Sequence, residues 1–258
     1  MITSNEPHVA ALYRYPVKGL SPEQLDIVDL SPGATIQGDR VYAIERHPGK
    51  FDPHTPRHLP KVNFLMLMRD ERLAALETRF IDTSDTLTLR HNGTVVAEGQ
   101  LSTAEGRAEI ETFLSRYMGS EISNAPRIVS AKGHSFSDVP DKCVHIVNHA
   151  SIRTLESELG REIDPIRFRP NIVVDGIAPW RELDLLEKTI TIAGVKLQAF
   201  ARTQRCAATN VDPSTGQRDM SIPELLQQTV GHRDFGIYAR VLTPATIRPG
   251  DHVELPES

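Results

Sequence analysis

TITIAGVKLQAFARTQRCAATNVDPSTG, residues Thr189–Gly216, decides how the rest of the chain is read. Its first half alternates apolar and polar residues on both sides of Ala193-Gly194, the pattern of two half-buried antiparallel strands joined by a tight turn. The second strand begins near Val195 and runs out through Arg202 and Arg205 to Cys206. There the chain turns polar and closes on Asp-Pro-Ser-Thr-Gly, a string of turn formers. A hairpin thus delivers one of only two cysteines to a loop at a strand end, where function concentrates.

The same signature recurs along the chain. HVAALYRYPV, QLDIVDLSPG, DRVYAIERHPG, KVNFLMLM, KCVHIV and NIVVDG are short β-branched and apolar runs bounded by Pro, Gly or Asn. TLTLRHNGTVVAEG places Asn92-Gly93 between alternating flanks, which predicts a second hairpin. Helical signals are fewer. Ser102-Thr-Ala-Glu105 and Ser221-Ile-Pro-Glu224 read as capping boxes, and SIRTLESELG, from Ser151 to Gly160, sets Ile152, Leu155 and Leu159 at helical spacing before a Gly stop. Many short strands with a few covering helices predict an α+β, strand-rich, barrel-like fold. No phosphate-cradling Gly-rich fingerprint is visible. The polar, turn-rich stretch Ser123–Asp141 predicts a boundary, dividing the chain into 1–125 and 126–258.

Composition narrows the function classes. The 258 residues are 39% hydrophobic and 24% charged, as in a folded globular protein, and the net charge of -5 argues against a nucleic-acid binder. NFLMLM, Asn63–Met68, falls far short of the roughly 18 apolar residues of a spanning helix, so no membrane role is expected. The start, MITSNEPHVAALYRYP, shows no basic and apolar leader, which predicts a cytoplasmic location with free thiols. An anionic ligand would have to be held by local basic residues.

Cys206 follows Arg202 and Arg205, cations that favour a thiolate able to act as nucleophile or metal ligand. Cys143, inside the apolar run CVHIV, reads as core. Lys18 and Gly19 in YRYPVKGLS, Arg57 in HTPRHLP, and Arg167 and Arg169 in RFRPNIVVDG complete four separated basic loops. Converging, they would form an anion pocket with the cysteine at its mouth. His47, His54 and His58 match no common zinc spacing and read as a solvated loop.

YPVKG, GDRVYAI, TPRHLPKV, FRPNIVV, RCAATNVDPSTG and FGIYARV…IRPGDHV occur in an order that resembles MOSC-domain proteins with the N-terminal MOSC β-barrel extension, over about Val9 to Val253. The pattern is similar to that of the amidoxime-reducing components and their bacterial relatives. The resemblance implies an N-terminal MOSC β-barrel domain followed by a MOSC barrel. It implies a molybdenum cofactor, molybdenum bound to molybdopterin, with Cys206 as metal ligand and catalytic residue. Lys18, Gly19, Arg57, Arg169, Asn171 and Arg205 are the cofactor contacts it implies, with Asn148 to Ser151 a further contacting stretch and Thr209, Asn210 and Asp212 on the substrate side. Pyridoxal phosphate binding is a further family-level expectation.

The activity implied is oxidoreductase: reduction of a small N-hydroxylated substrate, an amidoxime or hydroxylamine. Electrons would come from an external electron-transfer protein, a ferredoxin, flavodoxin or cytochrome b5-like carrier with its reductase, because two cysteines cannot supply the four thiolates of an iron–sulfur cluster. Eukaryotic members have Ser after the lysine of YPVK, where this chain has Gly19. Within the same family, Cys206 could instead carry a persulfide for cofactor maturation. A cysteine hydrolase would require a histidine base within reach of Cys206.

Overall fold

The computed structural model describes residues 6–256 and is strand-rich, with three α-helices among the described residues. Eight strands form the main sheet in the order Val253–Glu254, Thr189–Ile192, Val195–Gln204, Asp234–Val241, Val144–Asn148, Ile172–Asp175, His8–Arg14 and Glu23–Leu25. The Thr189–Gln204 hairpin pairs Ile192 with Val195 around Ala193-Gly194, both at positive φ, as its alternation predicts. Val144–Asn148 and Ile172–Asp175 run parallel and are linked by the helix His149–Leu159, because parallel neighbours need a crossover.

The sheet curls until the Val253–Glu254 end meets its seventh strand, His8–Arg14. His8 bridges His252, Val9 N–H donates to the Asp251 carbonyl at 2.9 Å, and Gly250 N–H donates to the Val9 carbonyl at 2.7 Å. Inside lie Val9, Leu12, Ile146, Ile172, Leu197 and Ile237, each at most 2% exposed. Each such side chain contributes about 1.5–3 kcal/mol on burial.

A second layer packs the antiparallel strands Glu77–Ile81, Thr86–His91 and Thr94–Gln100 against the helix Ala104–Met118. Ile110, Leu114 and Met118 meet Leu87 and Leu89 there. The Asn92-Gly93 turn has φ of 51° and 73°, the geometry its sequence calls for. The two sequence halves interlock. His8–Arg14 and Glu23–Leu25 are strands of the sheet built mainly by the C-terminal half, whereas Arg127–Val129 pairs with Ala43–Glu45.

The helix starts differ in detail from the capping boxes. Thr103, not Ser102, caps the first helix, its hydroxyl accepting from Gly106 N–H at 3.0 Å. Ser221 makes no side-chain cap for Ile222–Val230. Asn210 Oδ1 takes the Ile222 N–H at 3.0 Å instead, tying this helix to the loop that follows Cys206. The helix after KCVHIV begins at His149 and is capped by Asn148, whose Oδ1 accepts from Ala150 N–H at 3.0 Å.

Candidate functional site

At one end of the closed sheet lies a cavity of about 320 Å³, lined by strand ends and by the loops around Lys18, Lys61, Asp138, Arg169 and Cys206. Seven Lys and Arg side chains and two Asp line it, in a protein whose net charge is -5. Lys18, Gly19, Arg169, Asn171, Arg205 and Cys206 all belong to this lining. The four separated basic loops converge in part, and their convergence is tertiary.

Lys18 follows the first strand and is buried. Its ammonium donates to the Phe136 carbonyl at 2.8 Å and to Asp138. Burial lowers the Lys18 pKa, against the opposing pull of Asp138. Burial raises that of Asp138, but Lys18, Lys61 and Arg40 outweigh it and hold the carboxylate well below its usual range. Gly19 has φ of 87°, and a Cβ there would stand 2.9 Å from the Leu65 carbonyl oxygen. That backbone turn and close approach explain why glycine stands at this position.

Arg169 terminates the short 3-10 turn Pro165–Phe168 in the left-handed region. Its guanidinium lies over the Tyr15 ring at 4.1 Å, with that of Arg40 4.7 Å from the same ring. Nη1 donates to the Leu20 carbonyl at 2.9 Å, whereas Nη2 is buried without a partner. Burial lowers its pKa to about 10. Arg205 is equally enclosed: Nε donates to the Phe235 carbonyl at 2.8 Å, Nη1 to the Phe168 carbonyl at 3.0 Å, and Nη2 to His145 Nε2 at 2.6 Å. Burial lowers its pKa to about 10 as well.

In the sequence His145 is one polar residue in the apolar run KCVHIV, with no spacing that marks it as a site residue. Its Nδ1 lies 3.1 Å from the Arg169 carbonyl, which can only accept, so Nδ1 carries the proton and Nε2 accepts from Arg205. Burial and the Arg205 charge hold its pKa well below 6.5. Gly236 permits this placement: at φ of 78°, a Cβ there would lie 2.9 Å from His145 Nε2. Asn171 braces the neighbouring strands, accepting from His145 N–H at 3.1 Å and donating to the Tyr13 carbonyl at 3.2 Å.

Cys206 is half-buried at the rim, just past the strand Val195–Gln204, and its carbonyl accepts from Thr209 N–H and hydroxyl at 3.1 and 3.0 Å. Arg167, buried, fixes the loop beyond by donating to the Asn210 carbonyl at 3.3 Å and to Asp219 at 2.9 Å. Lys61 Nζ, reaching across from the other half of the chain, lies 3.5 Å from Cys206 Sγ and 3.8 Å from Asp138. In the sequence Lys61 is one residue of TPRHLPKV, with no local signal of its approach to Cys206. Cys143 also borders the cavity; burial pushes its thiol up to about 12.

Three expected contacts stand elsewhere. Arg57 is exposed on the loop before Lys61 and does not line the cavity. Asn148 caps a helix and donates to the Ala178 carbonyl at 2.9 Å and to Glu182 at 3.0 Å, while Ser151 donates to Glu182 at 2.8 Å. Both are buried and turned to a carboxylate of their own chain, Glu182. His54 and His58 are exposed, and no group of three or more potential His, Cys, Asp or Glu metal ligands occurs among the described residues. No helix among them is long and apolar enough to cross a membrane.

The family model described as "MOSC N-terminal beta barrel domain" matches residues 6–121, and that described as "MOSC domain" matches 132–254. A molybdenum cofactor sulfurase of Caenorhabditis briggsae is 24% identical over 98% of this chain and 36% of its own length. Mitochondrial amidoxime-reducing component 1 of Homo sapiens is 33% identical over 43% of this chain and 36% of its own length. The chain thus spans about a third of the length of these curated relatives. Among solved structures, the YUAD protein from Bacillus subtilis matches 96% of this chain and 93% of its own at 14% identity, with a TM-score of 0.43.

Proposed function

This chain belongs to the MOSC-domain family with the MOSC N-terminal β-barrel domain, and from that premise we propose that it binds the molybdenum cofactor and reduces N-hydroxylated compounds. The observation that carries the reading is Cys206 Sγ at the rim of a cavity lined by Lys18, Arg169 and Arg205. The donors fit the group. A single thiolate suits a sulfur-loving metal already held by a dithiolene, and buried cations suit the phosphate of a pterin. The unpartnered Arg169 Nη2 is a donor in need of an acceptor, and about 320 Å³ falls in the size range of small-molecule sites.

When bound, the cofactor supplies the two-electron chemistry at the N–O bond. The chain's own residues hold and orient. Arg205, fixed by three acceptors, and Arg169, stacked on Tyr15, present rigid positive charge. Arg167 and Asp219 keep the loop after Cys206 in place. Lys61 places its ammonium 3.5 Å from the Cys206 sulfur, reaching it from the N-terminal half of the chain.

The sulfurase relative, matched along nearly the whole chain, favours a second reading in which Cys206 carries a persulfide. The hydrolase reading loses its base. His145, the histidine that lines the cavity, has both ring nitrogens engaged, by Arg205 and by the Arg169 carbonyl.

The test is metal and sulfur content of protein made in a host that synthesises the cofactor. Near-stoichiometric molybdenum, with reduction of benzamidoxime by reduced methyl viologen but not by NADH alone, is the expected result. Cyanide-releasable sulfur on Cys206 without retained molybdenum would transfer the assignment to the persulfide reading.

A further inference from the structure

The cations of the cavity differ in what holds them. Lys18 is buried and gives its ammonium to the Phe136 carbonyl and to Asp138. Arg205 is engaged by the Phe235 and Phe168 carbonyls and by His145, and Arg167 by the loop after Cys206. Lys61 is held far less. Its side chain is 35% exposed, and its Nζ stands 3.8 Å from Asp138, beyond hydrogen-bond length. Cys206 Sγ, at 3.5 Å, is the hydrogen-bond partner of that ammonium among the described residues. An ammonium has three N–H donors, so two remain for a ligand that binds beside the sulfur.

The charge of Lys61 is not cancelled where it stands. Asp138 is shared by Lys18 and Lys61, with Lys18 the closer, and Asp39 is taken by Arg40 and the Tyr15 N–H. A ligand oxygen near the sulfur therefore meets a charged donor, and a ligand cation there meets repulsion. Reduction changes the ligand in this respect. An amidoxime is neutral at pH 7. Uptake of two electrons, which the bound cofactor supplies, and two protons breaks its N–O bond and releases the oxygen as water. The amidine that remains is a strong base and holds a further proton as an amidinium cation. That cation has N–H donors and no acceptor, so it meets Lys61 donor to donor as well as charge to charge.

We propose that Lys61 distinguishes substrate from product: its ammonium donates to the oxygen of a neutral N-hydroxylated ligand and repels the cation that remains once that oxygen has gone. This rests on the reductase reading above for its substrate class. The oxygen is the atom that separates the two ligands, and it is the acceptor that the open N–H donors of Lys61 fit. One side chain thus favours entry of the substrate and departure of the product without any movement of the chain.

The experiment uses the full chain with its cofactor, oxidised so that nothing turns over, and benzamidoxime and benzamidine as probes. Calorimetry gives Kd for each with the unaltered protein, Lys61→Met and Lys61→Arg, substitutions that keep the long stem of a partly exposed side chain. Lys61→Met should weaken benzamidoxime binding about tenfold, the loss of one charge-assisted hydrogen bond. It should tighten benzamidine binding severalfold, an effect that shrinks at high salt. Lys61→Arg keeps the charge and should leave benzamidine bound as weakly as in the unaltered protein. Molybdenum per protein should be equal in all three. Shifts of both ligands in the same direction, no shift, benzamidine tightened by Lys61→Arg, loss of molybdenum in Lys61→Met, or no binding by the unaltered protein overturns the proposal. Opposite shifts without benzamidoxime reduction by the unaltered, molybdenum-loaded protein keep the Lys61 assignment and discard the reductase reading.

Discussion

Arg205 Nη2 lies 2.6 Å from His145 Nε2, and this contact fixes the tautomer of one residue and the aim of the other. The imidazole proton is committed to the Arg169 carbonyl at 3.1 Å, so His145 connects the backbone of one arginine with the guanidinium of the next. Two of the cations that line the cavity are therefore positioned through a single neutral ring.

Replacing His145 by Phe keeps a ring but removes both hydrogen bonds, and a bond to a charged group is worth about 1.5–3 kcal/mol. Urea unfolding should show a loss of that order. The pH dependence carries the sign. The folded imidazole stays neutral well below 6.5, because of burial and then Arg205, while the unfolded chain takes up its proton near 6.5. Stability from this source is full above pH 6.5 and falls as the pH drops toward the folded value. His145→Phe should lack that part of the acid slope, and an unchanged slope would remove the tautomer argument.

The two thiols should separate by reactivity. Cys143 is buried with its thiol pushed up to about 12, whereas Cys206 is half-buried beside Lys61. Iodoacetamide at pH 8 should label native protein at Cys206 alone, as read by peptide mass mapping, and both thiols after denaturation. Cys206→Ser should abolish molybdenum-dependent turnover and Cys143→Ser should leave most of it.

Gly19→Ser tests the departure in YPVKG. With φ at 87° and the Leu65 carbonyl oxygen 2.9 Å from the added Cβ, the substitution should destabilise by about 1–2 kcal/mol for the left-handed backbone, plus any shift of the Leu65 loop. A melting temperature equal to that of the unaltered protein would mean that the turn accepts a side chain.

Arg169→Ala should weaken cofactor retention about ten- to hundredfold, the equivalent of one charge-assisted hydrogen bond, with little change in rate per bound molybdenum. Molybdenum per protein after gel filtration, measured beside the specific rate, separates the two. Full occupancy would leave the unpartnered Nη2 without a ligand to serve.

Local order determined much of this protein. The Asn92-Gly93 and Ala193-Gly194 turns, the alternation of their flanking strands, the Gly160 helix stop and the delivery of Cys206 to a strand end all follow from period-2 patterning and turn chemistry within a few residues. The basic loops of Lys18, Arg169 and Arg205 were legible as residues of the right type, though only their convergence makes a pocket. Signals of local origin could also mislead about direction: Asn148 and Ser151 do sit at a helix start, but they satisfy that start and the buried Glu182 rather than the cavity. The tertiary structure alone decided the remainder. Lys61 meets Cys206 across 145 residues, Lys18 meets Phe136 across 118, and His145 reaches Arg205 across 60. Such contacts depend on how the curled sheet closes and which strand ends it gathers, a long-range register that short-range propensity does not encode.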